Sequence, residues 1–406
     1  MTYILLFGIT GDLSKRMLLP SLDNLIENKK INDIFIYGVS RRDLDVNVIL
    51  NESLKEKAST SKLINNILGV KLSDDINEYI EFKKKLNLKD TDQLLIYLSV
   101  PPTSAMLYVE LLGKIGLNEK NVKLMLEKPF GTNLATANEF LNVVNKYFNE
   151  RQVYKIDHYL AKANAQAITQ FKFNNKAVFN SPIDKIEIVA YETIDIQGRG
   201  VFYEQTGALR DFIQGHLMEL LLLTIMENNS LNEADIIRNR IKAINSLTIS
   251  NIGDCIRGQY DGYKCEVNNN SSSVETFANI SLVSNLKEFS ITKINLITGK
   301  SMDKKETSIN IYFKHGSMMK IMVTPFEPLP NKITINSKIF NLKNDITQYL
   351  DGYKCVFYAA INSNKLPFVT NNEIITSWTI FNDLINQWSK NGDNLKIYTK
   401  GSKNVQ

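Results

Sequence analysis

A chain of 406 residues with 44% hydrophobic content carries enough apolar material for two domains, each with its own core. Its formal charge of +5 is spread through interspersed Lys, Arg, Asp and Glu. That excludes the clustered basic face that nucleic acid requires and leaves a mild balance suited to small anions. Cys255, Cys265 and Cys355 show neither metal-ligand spacing nor disulfide density, so no metal site is expected and the thiols read as reduced, in a cytoplasmic protein. The apolar start lacks a basic region, and the greasiest stretch, 217–226, contains Glu219 and is too short to span a bilayer. Neither a leader nor a membrane partner is expected.

In chain order, 3–7, 34–37, 93–100, 122–126 and 153–156 read as short buried strands. The runs 13–27, 105–116 and 134–148 read as amphipathic helices between them. Strands alternating with helices predict a parallel sheet with helices on both faces, here a first domain over 1–160. Pro101-Pro102 closes the third strand, where proline is tolerated. Beyond it the pattern changes to a larger α+β domain, 161–406, with a mostly antiparallel sheet. A helix is expected from His158 to about 173, a strand over 185–192, and a loop at Gly198-Arg199-Gly200. A long helix over 209–226 follows, then β-rich runs through 274–340, with His315 and Gly316 in a hairpin turn. The pentapeptide Asp-Gly-Tyr-Lys-Cys occurs at 261–265 and 351–355 in different surroundings and reads as chance.

Gly8-Ile9-Thr10-Gly11-Asp12-Leu13 follows the first strand. Glycine there lets backbone approach a pyrophosphate, and the helix start behind it favours negative charge. Two glycines are weaker than the full three-glycine fingerprint. At the end of the second strand, Ser40-Arg41-Arg42 stands where an NAD site usually places an acid, which suits a 2′-phosphate and hence NADP; a solvated turn is the plain alternative. Only three histidines occur. His158 and Lys162, four apart in a helix begun by Asp157, would share one face with Tyr159 beside them, a donor cluster fit for a phosphate. His216 lies in the long helix with Asp211 five residues away, a spacing that in an α-helix puts them on different faces. Histidine is the side chain best suited to move a proton near neutral pH, although a half-buried structural histidine is the usual case.

Taken in order, the motifs resemble the glucose-6-phosphate dehydrogenase family along almost the whole chain. They are Gly8 to Leu13, Tyr97-Leu98 with Pro101-Pro102, Glu127-Lys128-Pro129-Phe130-Gly131 and Asp157-His158-Tyr159-Leu160. Gly198-Arg199-Gly200, Arg210-Asp211 with Gln214 and His216, Arg257-Gly258-Gln259-Tyr260, Glu275-Thr276-Phe277, Thr298-Gly299-Lys300 and the surroundings of Trp378 follow. The resemblance implies a Rossmann-type domain, then an α+β domain through whose sheet members usually dimerise. It implies oxidation of glucose 6-phosphate to the 6-phospho-lactone with NADP, the first oxidative step of the pentose phosphate pathway. It makes His216 the general base and Asp157 its orienting carboxylate. His158, Tyr159 and Lys162 would hold the phosphate, while Glu192, Asp211, Lys300 and Lys305 would complete the sugar pocket. Lys128 would touch both sugar and coenzyme, and Gly8, Thr10, Gly11, Asp12, Leu13, Arg41 and Pro101 would line the coenzyme.

Departures from the family pattern keep two alternatives open: another aldose or aldose phosphate on the same scaffold, or a non-catalytic nucleotide-binding protein. Ala161 and Ala163 replace a glycine and an acid of the family, Gly215 replaces an asparagine, and the loops around 226–275 are trimmed. Ile297 and Glu306 stand where basic residues would help hold the second, structural nucleotide of animal members, so none is expected.

Overall fold

The computed structural model describes residues 1–324, 332–335, 338–341, 349–390 and 394–405, and the chain divides into two units. The first comprises Met1–Gly131, Ala135–Ala161 and Leu350–Asn371. Its seven-stranded sheet runs in the order Phe368–Val369, Val153–Ile156, Val122–Leu126, Gln93–Leu98, Thr2–Phe7, Ile34–Ser40 and Ile67–Lys71. The last six are mutually parallel, and Phe368–Val369 pairs antiparallel at the edge. Thr2–Phe7 lies centrally and is hydrophobic on both faces, as a strand between helical layers must be.

Three elements here escape the apolar pattern. Ile67–Lys71 is an edge strand interrupted by Gly69, with Leu68 53% exposed, so it lacks the continuous hydrophobic run of its neighbours. The helices Val46–Leu54 and Ile76–Leu86 flank it, each opened by an aspartate, Asp45 or Asp75, whose carboxylate accepts an N–H two residues on.

A single break after residue 160 also needs amending, because 350–371 returns to the first unit. The helix Tyr353–Ile361 packs on Leu19–Glu27, and the Phe357 ring lies tilted against that of Tyr97 with centroids 5.4 Å apart. Lys123 fixes the far end of the returning helix, donating from Nζ to the carbonyls of Ala360 (2.6 Å) and Ile361 (3.1 Å) and to Ser363 Oγ (2.8 Å). An ammonium at a helix C-terminus satisfies carbonyls that have no partner within the helix.

The second unit comprises Thr132–Leu134, Lys162–Tyr349 and Asn372–Gln406. Its eight-stranded sheet runs Met318–Thr324, Glu306–Phe313, Ile183–Tyr191, Lys293–Gly299, Phe277–Ser284, Ile256–Tyr260 and Leu395–Tyr398, with Leu247–Ile249 also paired to Phe277–Ser284. Most pairs are antiparallel, but Ile183–Tyr191 is parallel to Lys293–Gly299 and Leu395–Tyr398 to Ile256–Tyr260. The turn around His315 and Gly316 joins Glu306–Phe313 to Met318–Thr324.

Three helical expectations are corrected in this part of the chain. The helix expected from His158 begins at Ala163 and runs to Asn174. A helix, Gly200–Ala208, follows the glycine loop directly. The expected 209–226 helix is wound as a π-helix over Leu209–Leu217 before Met218–Ile225 continues as α-helix.

Candidate active site

In the first unit the candidate residues stand where neighbouring parallel strands end. Gly8 follows Thr2–Phe7, Arg41 follows Ile34–Ser40, Pro101 follows Gln93–Leu98, Lys128 follows Val122–Leu126 and Asp157 follows Val153–Ile156. Ligands of open parallel sheets bind outside these carboxyl ends. Gly8 has φ +73°, and a Cβ there would collide with the Ser99 carbonyl, so the turn closes too tightly for any other residue. The Gly8 carbonyl accepts from Gly11 N–H (2.9 Å) and Ser14 Oγ (2.8 Å), which fixes the turn while leaving Thr10 and Asp12 exposed. Leu13 is half-buried beneath it, and Pro101, itself exposed, opens the helix Pro102–Lys114. Arg41 is exposed beside Ser40, whose hydroxyl accepts Arg42 N–H at 3.1 Å, and no carboxylate stands at the end of that strand before Asp43. A tight glycine turn with an exposed arginine at the next strand end fits a dinucleotide.

Lys128 and Asp157 meet at 3.9 Å between Nζ and Oδ2. Lys128 Nζ is buried and has no hydrogen-bond acceptor among the described residues. Its neighbour Glu127 accepts from the hydroxyls of Tyr97 and Tyr353. Burial pushes the Glu127 carboxyl up to about 7, and the nearby Asp157 adds to the rise, while the two hydroxyls and Lys128 oppose it. Nothing in the residue spacing signals either tyrosine here, and Tyr353 arrives with the returning segment, in the second copy of the Asp-Gly-Tyr-Lys-Cys pentapeptide.

Asp157 does not cap a helix. Its Oδ1 accepts Tyr159 N–H at 2.9 Å, an Asx-turn, and Gly352 N–H donates to the Ala161 carbonyl at 2.9 Å. His158 therefore lies in a turn and Lys162 in the bend that follows it, not on one helical face, with the His158 and Tyr159 rings 5.0 Å apart. Lys162 becomes the N-cap of Ala163–Asn174, without a capping bond from its side chain.

In the second unit, Glu192 and Lys300 form an ion pair at 2.5 Å. They meet because Tyr191 and Gly299 end a paired parallel register, and Glu192 N–H continues it onto the Gly299 carbonyl at 2.9 Å. Lys300 Nζ lies 5.2 Å from the Tyr203 ring and 5.8 Å from that of Phe212. Phe212 in turn stands edge-on to the buried His216 at 5.6 Å. The π-winding changes the relation of Asp211 to His216. Hydrogen bonding from i to i+5 widens the turn, so residues five apart lie nearer one side than they would in an α-helix. Asp211 is half-buried, and its charge acts on Tyr203. Lys305 is exposed between two strands and joins no described group of this cluster. Asp157 belongs to the first unit and His216 to the second.

The family model described as the NAD binding domain of glucose-6-phosphate dehydrogenase matches residues 5–167, and that of the C-terminal domain matches 169–344. Glucose-6-phosphate 1-dehydrogenase of Borreliella burgdorferi is 29% identical, over 95% of this chain and 92% of that protein. Its counterpart in Helicobacter pylori is 29% identical, over 99% and 96%. A solved glucose-6-phosphate dehydrogenase in complex with glucose 6-phosphate superposes with a TM-score of 0.89 at 23% identity, over 100% of this chain and 95% of that one. The enzyme from Mycobacterium avium gives 0.86 at 23%, over 99% and 94%, and both show the fold. A myo-inositol dehydrogenase from Corynebacterium glutamicum shares it more distantly, at 0.55 and 10% identity over 96% and 97%. With both domain models matched in succession over most of its length, the chain belongs to the glucose-6-phosphate dehydrogenase family.

Proposed function

We propose that this chain oxidises glucose 6-phosphate at C1 to the 6-phospho-lactone, with NADP as the acceptor. One observation carries the reading: around Phe212 and Tyr203 the second unit gathers a buried histidine, a half-buried aspartate and a lysine–glutamate pair. That is a proton acceptor beside groups that bind hydroxyls. The coenzyme, when bound, supplies the hydride acceptor. Gly8, Thr10, Gly11, Asp12, Leu13 and Pro101 would hold it, and Arg41 would pair with the 2′-phosphate.

His216 takes the C1 hydroxyl proton, and Asp157 stabilises the imidazolium that results. Glu192, Asp211, Lys300 and Lys305 bind the sugar hydroxyls. His158, Tyr159 and Lys162 grip the phosphate through charge-assisted hydrogen bonds. Lys128, with a buried ammonium open to further acceptors, serves both sugar and coenzyme. The assembly is a homodimer through the eight-stranded sheet, or a dimer of such dimers, on the family resemblance, and light scattering separates the two. A cytoplasmic setting rests on the three free thiols.

The test is a panel of aldoses and aldose phosphates with NADP⁺ and NAD⁺, followed by absorbance of the reduced nicotinamide. Glucose 6-phosphate with NADP⁺ should lead. His216→Asn should lower turnover by about 10²–10⁴-fold with coenzyme binding intact. Near-normal turnover in that variant would move the base to Asp211 or His158.

A further inference from the structure

Glu275 and Thr276 precede the strand Phe277–Ser284 and carry none of the roles assigned above. Glu275 is 5% exposed, yet its side chain is spent on backbone: Oε1 accepts the Leu209 N–H at 3.0 Å. Its carbonyl accepts the Ala208 N–H at 2.9 Å. These amides begin the wide turn that carries Asp211 and His216, where helix geometry offers them no acceptor of their own. The preceding Gly207 has φ +61°, and a Cβ on it would collide with the Glu275 carboxylate. Burying a carboxyl is costly, so a carboxylate used as a helix cap in a dry position implies that the geometry it enforces matters.

Thr276 reaches the other side of the cluster. Its carbonyl accepts the Lys300 N–H at 2.9 Å, and its hydroxyl accepts the Tyr260 N–H at 2.9 Å. That hydroxyl also lies 2.9 Å from the Tyr398 hydroxyl, which donates to the Lys300 carbonyl at 2.7 Å. Two adjacent residues therefore hold the start of the His216 helix and the backbone N–H of Lys300, and reach the Lys300 carbonyl through the Tyr398 hydroxyl.

We propose that Glu275-Thr276 is a positioning element that sets the distance between the proton acceptor His216 and the sugar-binding Lys300. This rests on the roles given to His216 and Lys300 above. What matters is the reach of the Glu275 side chain rather than its charge: the acceptor must extend far enough to hold Leu209 N–H.

Two substitutions separate reach from charge. Glu275→Asp keeps the charge and withdraws the acceptor by one methylene. Glu275→Gln keeps the reach and removes the charge. A shift of about 1 Å in a reacting group costs on the order of 10²-fold. Glu275→Asp should therefore lower kcat by on the order of 10- to 100-fold and raise KM for glucose 6-phosphate several-fold, with KM for NADP⁺ unchanged. Glu275→Gln should recover most of both. A merely structural role would lower the melting temperature and the active fraction without moving KM for the sugar phosphate. That result, or a Glu275→Gln enzyme worse than Glu275→Asp, overturns the proposal. Measured alongside, a His216→Asn enzyme with near-normal turnover overturns the reading on which it rests. A dead His216→Asn enzyme beside an unaffected Glu275→Asp enzyme overturns the positioning role alone.

Discussion

Replacing Glu127 with glutamine should make stability less dependent on pH, in a direction fixed by the environment of that carboxyl. Its folded value is about 7 against an ordinary 4.5, raised first by burial and further by Asp157, and opposed by the Tyr97 and Tyr353 hydroxyls and by Lys128. At 1.36 kcal/mol per pH unit, that difference amounts to roughly 3 kcal/mol. An acid raised on folding favours the protonated native state, so its contribution is complete below pH 4.5, declines across pH 4.5 to 7, and is lost above. Glutamine is neutral throughout and carries no such slope. At pH 8 the variant escapes the roughly 3 kcal/mol cost of an ionised buried group, but presents an amide to two hydroxyls that donate to a carboxylate, at about 1 kcal/mol. Glu127→Gln should therefore be more stable than the parent by about 2 kcal/mol at pH 8, and about equal to it near pH 5, where the parent has lost only roughly 1 kcal/mol of its advantage. Urea unfolding at the two pH values, followed by circular dichroism, reads the difference from the midpoints. An offset between variant and parent that is the same at both pH values would refute the placement of Glu127 as a buried acid near neutrality.

Two further outcomes bear on the ligands. Arg41→Ala should weaken NADP⁺ binding by about 10- to 150-fold and leave NAD⁺ nearly untouched, since a charge-assisted contact to phosphate contributes about 1.5–3 kcal/mol; equal losses by fluorescence titration would reduce Arg41 to a support of its turn. Lys162→Ala should raise KM for glucose 6-phosphate far more than for unphosphorylated glucose, because it removes a cation from a dianion. Equal effects in steady-state kinetics would place the phosphate elsewhere.

The strands 122–126 and 153–156 are legible to the residue because each is a short, mainly apolar run broken only by one lysine, Lys123 or Lys155. The edge strand Ile67–Lys71 is not, since half of it faces outward and Gly69 interrupts it. Aspartate suits both an N-cap and an Asx-turn, so Asp157 alone could not reveal which it forms; the bond from Gly352 to Ala161, across nearly two hundred residues, accompanies the turn. The type of each candidate residue is legible, but its company often is not. Glu192 meets Lys300 through a parallel register, Tyr353 meets Glu127 through the returning segment, and Asp211 joins the side of His216 through π-winding. Each depends on backbone geometry that residue spacing does not encode.

The returning segment also sets the order in which the chain can be completed. Strand Val153–Ile156 gains its outer neighbour only from Phe368–Val369, and Lys123 finds the Ala360 carbonyl 237 residues further on. A nascent chain that has emerged only as far as Ala161 holds most of a nucleotide-binding sheet with a bare edge, an uncovered apolar face on Leu19–Glu27 and a lysine lacking three of its acceptors. Such an intermediate exposes what neighbouring chains can pair with, and it persists until some two hundred more residues are made, roughly 10 to 40 s at common elongation rates of about 5–20 residues per second. The first unit to be synthesised is therefore among the last to be finished, and a fragment ending near residue 161 is expected to aggregate rather than bind coenzyme.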